Sequence, residues 1–221
     1  ENAGFVSGYL NEKAKVGDRF VMTEPSGEFH YETLRDNRHI VCLAGGSGIT
    51  PFMSMAGSLA DGDEPYSMTL FYGARTAAQL AYKAELDALT MRCKGLKVVY
   101  VLSEEEQPGC EKGFISAQLM KKYTDLTDVT FFLCGPQAMY DFVGKELEPL
   151  HLPKKAMRHD ATCCGDLSME GPGAFKLTVH MRDEVYVIPA KENETLLTSM
   201  ERAGLNAPNK CRAGGCGFCH S

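Results

Sequence analysis

The stretch His39-Ile40-Val41-Cys42-Leu43-Ala44-Gly45-Gly46-Ser47-Gly48-Ile49-Thr50-Pro51 passes from five consecutive apolar residues into glycines and then into a helix start. An unbroken apolar run suits a strand covered on both faces, as in a parallel sheet. Glycines there permit a tight turn. Thr50-Pro51 reads as a helix opening, with Thr as N-cap and Pro at the first helical position. Strand, glycine loop and helix in this order form one unit of a doubly wound α/β fold.

The same unit repeats outward from this stretch. Apolar runs at 68–72, 96–102 and 129–134 predict further parallel strands, and helical patterns occupy 51–60, 77–89, 115–123 and 136–150. Right-handed crossovers then give a doubly wound sheet over about residues 37–157. Residues 1–36 show no helical pattern. Val16-Gly17-Asp18 and Pro25-Ser26-Gly27 punctuate short strands there, as at the end of an antiparallel barrel. Residues 158–173 form a linker by composition, closing in Gly171-Pro172-Gly173. Within 174–221, alternating patterns at 176–181 and 185–188 predict a strand pair. Leu196, Leu197, Met200 and Ala203 then make one helical face that closes at Gly204.

Composition narrows the function classes. With 221 residues, 44% hydrophobic and 24% charged, the chain is an ordinary globular protein. A net charge of -6 without a basic tract argues against nucleic acid as a partner. No apolar run reaches the roughly 20 residues that span a bilayer. The nine cysteines are odd in number and partly clustered, which speaks for a reducing, cytoplasmic setting rather than a disulfide framework. The six histidines show no pairing pattern, and no nucleophile–base arrangement is present. Nothing in the sequence reports an oligomeric state.

Cys211, Cys216 and Cys219 have the C-x4-C-x2-C spacing of a plant-type [2Fe-2S] site. Such a cluster takes four thiolates, so a fourth cysteine is expected beyond Ser221 and the chain is expected to be a piece of something longer. Its start at Glu1 rather than at a methionine points the same way. Zinc on three thiolates and His220 is the competing reading, but His220 directly follows Cys219, an awkward spacing for one tetrahedral ion. Cys163-Cys164, in the linker, reads as a pair of reduced thiols.

The glycine loop 45–48 combines small residues with a helix N-terminus, where free N–H groups and the dipole favour a pyrophosphate. A plain β–α turn would also need glycine; the strand–loop–helix context favours the phosphate. Cys134-Gly135-Pro136-Gln137-Ala138-Met139 repeats the geometry at the next strong strand end. Ligands of open α/β sheets bind beyond the carboxyl ends of strands, so both loops should face one crevice. Taken singly, Cys134 would be a small buried apolar residue, and Arg75 a solvated surface charge.

Together AGGSGITP, FYGAR and CGPQAM, in that order, resemble the pyridine-nucleotide domain of the ferredoxin–NADP reductase superfamily. Gly4-Phe5-Val6-Ser7 resembles its Gly-x-x-Ser element for the FAD pyrophosphate, and Pro25–Phe29 the turn that ends the flavin barrel. The layout is similar to three-module reductases that supply oxygenases. The implied fold is an α/β NAD(P)-binding domain at 37–157, preceded by the end of a flavin barrel at 1–36. The 158–173 linker and the N-terminal part of a β-grasp ferredoxin domain at 174–221 follow.

The resemblance also implies roles. Gly45, Gly46, Gly48 and Thr50 would cradle the pyrophosphate and ribose. Cys134, Gly135 and Pro136 would lie beside the nicotinamide, and Gly73 and Arg75 would flank the adenosine half. Ser7 and the backbone at Val6 would touch FAD. Cys211, Cys216 and Cys219 would hold the cluster, with its fourth ligand outside this chain. The family's flavin-stacking Arg-x-Tyr-Ser element is expected upstream of Glu1. The implied activity is electron transfer from NAD(P)H through FAD and [2Fe-2S] to an oxygenase or other acceptor protein.

Two alternatives stay open: an electron-carrier subunit similar to that of dihydroorotate dehydrogenase, and an inert fragment. In the first, no ferredoxin-like strand pair and helix should precede the cysteines. Whether a 2′-phosphate is accommodated turns on residues around Arg75, Thr76 and Lys83, and one arginine does not settle it.

Overall fold

The computed structural model describes residues 5–22, 27, 29–160, 174–181, 183–191 and 195–209. Its centre is a six-stranded, all-parallel sheet of β1 (His39–Gly45), β2 (Ser67–Ala74), β3 (Leu96–Leu102), β4 (Cys110–Lys112), β5 (Val129–Cys134) and β6 (Met157–His159). The spatial order is β4-β3-β2-β1-β5-β6. From β1 the chain therefore moves outward on one side through β4, then returns to build β5 and β6 on the other. The order reverses between β1 and β5, where a doubly wound sheet opens a crevice.

Both sheet faces are covered, which is why the strands lack polar alternation. Ile40, Cys42, Leu70, Tyr72 and Phe132 pack on one side with Phe52, Met55 and Leu86, from helices α2 (Thr50–Asp61) and α3 (Lys83–Arg92). Val41, Leu43, Phe71, Val101, Phe131 and Leu133 pack on the other with Met120, Val143 and Leu147. Those last three come from α4 (Ala117–Tyr123) and α5 (Gln137–Leu147).

Several expectations are corrected. Among the described residues, 5–38 contain no strand; they hold the helix α1 (Phe5–Glu12). A strand leaves its N–H and C=O groups to a neighbour, whereas a helix closes them internally. Val16-Gly17-Asp18 does form a turn, with Asp18 N–H donating to Lys15 O at 3.1 Å. Most of the 25–29 turn lies outside the described residues.

The single helix expected over 77–89 is instead a short 3-10 turn, Ala77–Gln79, followed by α3. Leu80 is buried in the core and Ala81 N–H donates to the Tyr72 hydroxyl, so the chain leaves the helical path between them. Tyr82 takes a left-handed φ of 59° there.

Arg158 and His159, expected in the linker, form the edge strand β6 against Phe132 and Leu133. Their charge hid the strand. The Arg158 guanidinium is neutralised inside: Nε and Nη2 donate to the two Asp36 carboxylate oxygens at 2.9 and 2.8 Å, and Nη1 to Glu32 at 2.8 Å.

At the amino-terminal end of the central strand β1, His39 bridges Ser67 Oγ (2.8 Å) and Thr124 Oγ1 (2.9 Å). Burial lowers its pKa from 6.5, so the fold favours the neutral ring. The unfolded chain then binds more protons, and stability present above pH 6.5 declines as pH falls through the folded pKa. His39→Gln is expected to cost about 1–2 kcal/mol from lost hydrogen bonds. It should also flatten the decline measured by urea denaturation between about pH 7 and 5. His159 is shifted the same way by burial; an unchanged slope in the variant would move the effect there.

The C-terminal described elements are an antiparallel pair, β7 (Ala174–Met181) and β8 (Glu184–Lys191), and the helix α6 (Leu196–Arg202). Val179, Ile188 and Leu205 form their small core, with Met200 packed on it, and Gly204 closes the helix at φ 77°. Leu196, expected on the buried face, is exposed; Ser199 is buried instead.

Candidate functional site

The crevice is built by two loops that touch. β1 and β5 lie side by side with Ala44 opposite Cys134, so the chain leaves both strands at the same level. The β1 loop makes a 3-10 turn, Gly46–Ile49, and enters α2 without a break. Thr50 is consequently inside the helix (φ -59°, ψ -46°) rather than its N-cap, and its hydroxyl donates to Ser47 O at 3.2 Å. The expected capping role is corrected: the preceding turn already supplies helical backbone, so Thr50 has no extended conformation from which to cap. Pro51 does occupy the first turn.

The glycines divide into two kinds. Gly46 has φ 55° and open space where a Cβ would stand. It serves the turn and leaves its surroundings free for a ligand. Gly45, Gly48 and Gly135 have no such space. A Cβ on Gly48 would overlap the Cys134 carbonyl and sit 2.9 Å from Gly135 N. One on Gly45 would lie 2.6 Å from Met139 Sδ, and one on Gly135 3.2 Å from the Gly45 backbone. Gly48 and Gly135 allow the two loops to pack backbone to backbone, and Gly45 leaves room for the Met139 and Pro136 side chains. Pro136 is extended (φ -70°, ψ 155°) and opens α5.

Cys134 is buried at the end of β5, and its thiol donates to Asp160 Oδ2 at 3.5 Å. Asp160 follows β6; its N–H donates to Leu133 O at 3.1 Å, and its carbonyl accepts from the Tyr140 hydroxyl at 2.7 Å. The sequence reading passes over Asp160 and Tyr140. Asp160 lies 26 positions from Cys134, just beyond a strand whose arginine disguised it, so no local signal marked it.

Gly73 continues the same level on β2, opposite Gly45, with Ile115 Cδ1 at 3.4 Å from its would-be Cβ. Arg75 follows at the rim, exposed, with its Nε 3.8 Å from Glu104 Oε1. Val6 and Ser7 fall in the first turn of α1; their side chains lie outside the described residues, so they receive no place at the crevice. Cys211, Cys216 and Cys219 also lie outside the described residues. Among those described, no three metal-ligating side chains cluster, and no helix is long and apolar enough to cross a membrane.

The arrangement fits a dinucleotide. A helix N-terminus and the open turn at Gly46 suit a pyrophosphate.

Residues 42–145 match the family model of the oxidoreductase NAD-binding domain, and residues 179–221 that of the 2Fe-2S iron–sulfur cluster binding domain. Curated relatives include the anthranilate 1,2-dioxygenase electron transfer component of Acinetobacter baylyi, 31% identical over 66% of this chain and 42% of that protein. The 3-ketosteroid-9-alpha-monooxygenase ferredoxin reductase component of Mycobacterium tuberculosis is 31% identical over 98% of this chain and 61% of that protein. The chain thus spans about half the length of the curated relatives it matches. Among solved structures, the FAD/NAD binding domain of Vibrio cholerae nitric oxide dioxygenase superimposes with a TM-score of 0.61. It is 26% identical, over 72% of this chain and 65% of that one.

Proposed function

We propose, because this chain joins an oxidoreductase NAD-binding domain to a 2Fe-2S iron–sulfur cluster binding domain, that it works in an NAD(P)H-dependent reductase delivering electrons to an acceptor protein. The acceptor class we favour is an oxygenase, the partner implied by the names of its dioxygenase and monooxygenase relatives. The observation that carries this reading is the convergence of the β1 and β5 loops on one crevice, with the cluster domain in the same chain.

FAD and the cluster, when bound, convert a hydride's two electrons into single ones, since a flavin accepts a hydride and an iron–sulfur centre carries electrons singly. The chain's own residues supply placement. Gly46 and the first turn of α2 receive the pyrophosphate, with Gly45 and Gly48 holding that turn against β5. Cys134, Gly135 and Pro136 form the surface on which the nicotinamide rests. Asp160 orients the Cys134 thiol by accepting its proton in a hydrogen bond. Ser7, in the first turn of α1, is the residue we assign to the FAD pyrophosphate. Cys211, Cys216 and Cys219 are the cluster ligands in this reading.

The strand pair β7–β8 and helix α6 stand before those cysteines. That order favours a ferredoxin-type module over the carrier-subunit alternative. We place the protein in a reducing, cytoplasmic compartment, in keeping with Cys42, Cys93, Cys110 and Cys134, which stand outside any disulfide.

Calorimetric titration of the purified chain with NAD⁺ and NADP⁺ tests the crevice, and absence of binding by either would remove the reading. In the flavin-loaded holoenzyme, Cys134→Ala is expected to slow reduction by NADH about 10²-fold, the effect of misplacing the reacting ring by about 1 Å. Its stability should change by only about 1 kcal/mol. An unaltered single-turnover rate in stopped flow would take Cys134 out of the mechanism.

A further inference from the structure

Asp160 is the first residue beyond the short edge strand β6, whose last ladder pair joins His159 to Leu133. One further bond, from Asp160 N–H to Leu133 O at 3.1 Å, carries the backbone past that pair and fixes one side of the residue. Tyr140 fixes the other. Its hydroxyl donates to Asp160 O at 2.7 Å and also reaches Leu133 O at 3.2 Å, so it spans the ends of β5 and β6. The phenol is itself held: Tyr140 lies in the first turn of α5, and its ring meets that of His159 at 5.4 Å. With N–H and C=O both anchored, the Cα–Cβ bond of Asp160 has a set direction. Its carboxylate then meets the Cys134 thiol, with Oδ2 3.5 Å from Sγ.

We infer that Tyr140 is a positioning residue for Cys134: its hydroxyl holds the Asp160 backbone so that the carboxylate accepts the thiol proton. The inference concerns the thiol, and it extends to the reaction through the reading of Cys134 as the nicotinamide's neighbour. A phenylalanine at 140 keeps the ring against His159 and loses the bond to Asp160 O. The peptide after Asp160 is then released to rotate, and the carboxylate leaves the sulfur. A carboxylate beside a thiol disfavours the thiolate by charge repulsion, and accepting the thiol proton disfavours it further. Cys134 is packed in one apolar cluster with Ala44, Ile49 and Phe52, which carry no charge. The titratable groups set toward its sulfur are Asp160 and, behind it, Tyr140 and His159.

The test is the pH dependence of Cys134 alkylation by iodoacetamide in the purified chain, followed at that cysteine by mass spectrometry. The range is about pH 7 to 10, where thiols ionise. It lies above the titration of His159, whose pKa burial lowers from 6.5. Tyr140→Phe is expected to move the midpoint down by about one pH unit and to raise the rate at pH 7.5 about tenfold. A site that had merely opened would alkylate faster at every pH, with its midpoint in place. Asp160→Asn should give the same shift, and the double variant no further one, because both changes remove one contact. A midpoint that Tyr140→Phe leaves in place would overturn the role, as would shifts that add in the double variant. An Asp160→Asn midpoint equal to that of the wild type would detach the carboxylate from the thiol and overturn it too. In the flavin-loaded holoenzyme, Tyr140→Phe should also slow reduction by NADH. A moved midpoint with an unaltered reduction rate would uphold Tyr140 as the anchor and take Cys134 out of the reaction.

Discussion

Gly48→Ala is expected to abolish dinucleotide binding and to destabilise the α/β domain by about 3 kcal/mol. The single added carbon would overlap the Cys134 carbonyl and press on Gly135 N. Those neighbours are backbone at the end of a central strand, already bonded into the sheet. They cannot turn aside as the tip of a long side chain could. Relief requires β1 and β5 to part at the level of Ala44 and Cys134, which opens the crevice floor. Gly46→Ala provides the contrast. Space is open there, and the cost is the left-handed backbone alone, about 1–2 kcal/mol. Urea denaturation and NAD⁺ titration of both variants separate collision from conformation. A Gly48→Ala protein with wild-type stability would show that the two loops do not pack as described.

The second large effect concerns Arg158. Its guanidinium is 3% exposed and faces an Asp36 side chain that is fully buried, while Phe132 covers it at 5.6 Å. Removing one partner strands a charge in the interior, which costs about 3–5 kcal/mol. That is a large share of the 5–15 kcal/mol typical of a domain. Arg158→Met and Asp36→Leu should each bring the protein close to unfolding at room temperature. The double variant should recover most of the loss, since two apolar side chains of similar volume can replace a buried pair. If each single variant were as stable as the wild type, Arg158 would not be holding residues 32–36 to β6. The Glu32 carboxyl, lowered mainly by its hydrogen bond from Arg158, should titrate nearer the ordinary glutamate value in Arg158→Met.

Much of this architecture was readable in advance. Four central strands declare themselves because burial on both faces demands continuous apolar residues, as in 40–44 and 131–134, and their short length and glycine boundaries mark them as strands. The loops after β1 and β5 were legible for a related reason: glycines at a tight turn and two helix-opening prolines are local chemical requirements. The antiparallel pair at 174–191 and Gly204 at its helix end also followed from local rules.

Other features depend on partners distant in the chain. Arg158 reads as a linker charge until Asp36, 122 positions away, cancels it. The break before Lys83 exists because Tyr72 takes an N–H that a helix would have used. Cys134 looks like a small apolar residue until Asp160 is set beside it. Linear order thus dictates where strands, turns and glycine loops fall, since those are contests between neighbouring residues. Which charges are cancelled and which glycines are there for packing emerge once the sheet closes, because electrostatic and steric contacts act through space.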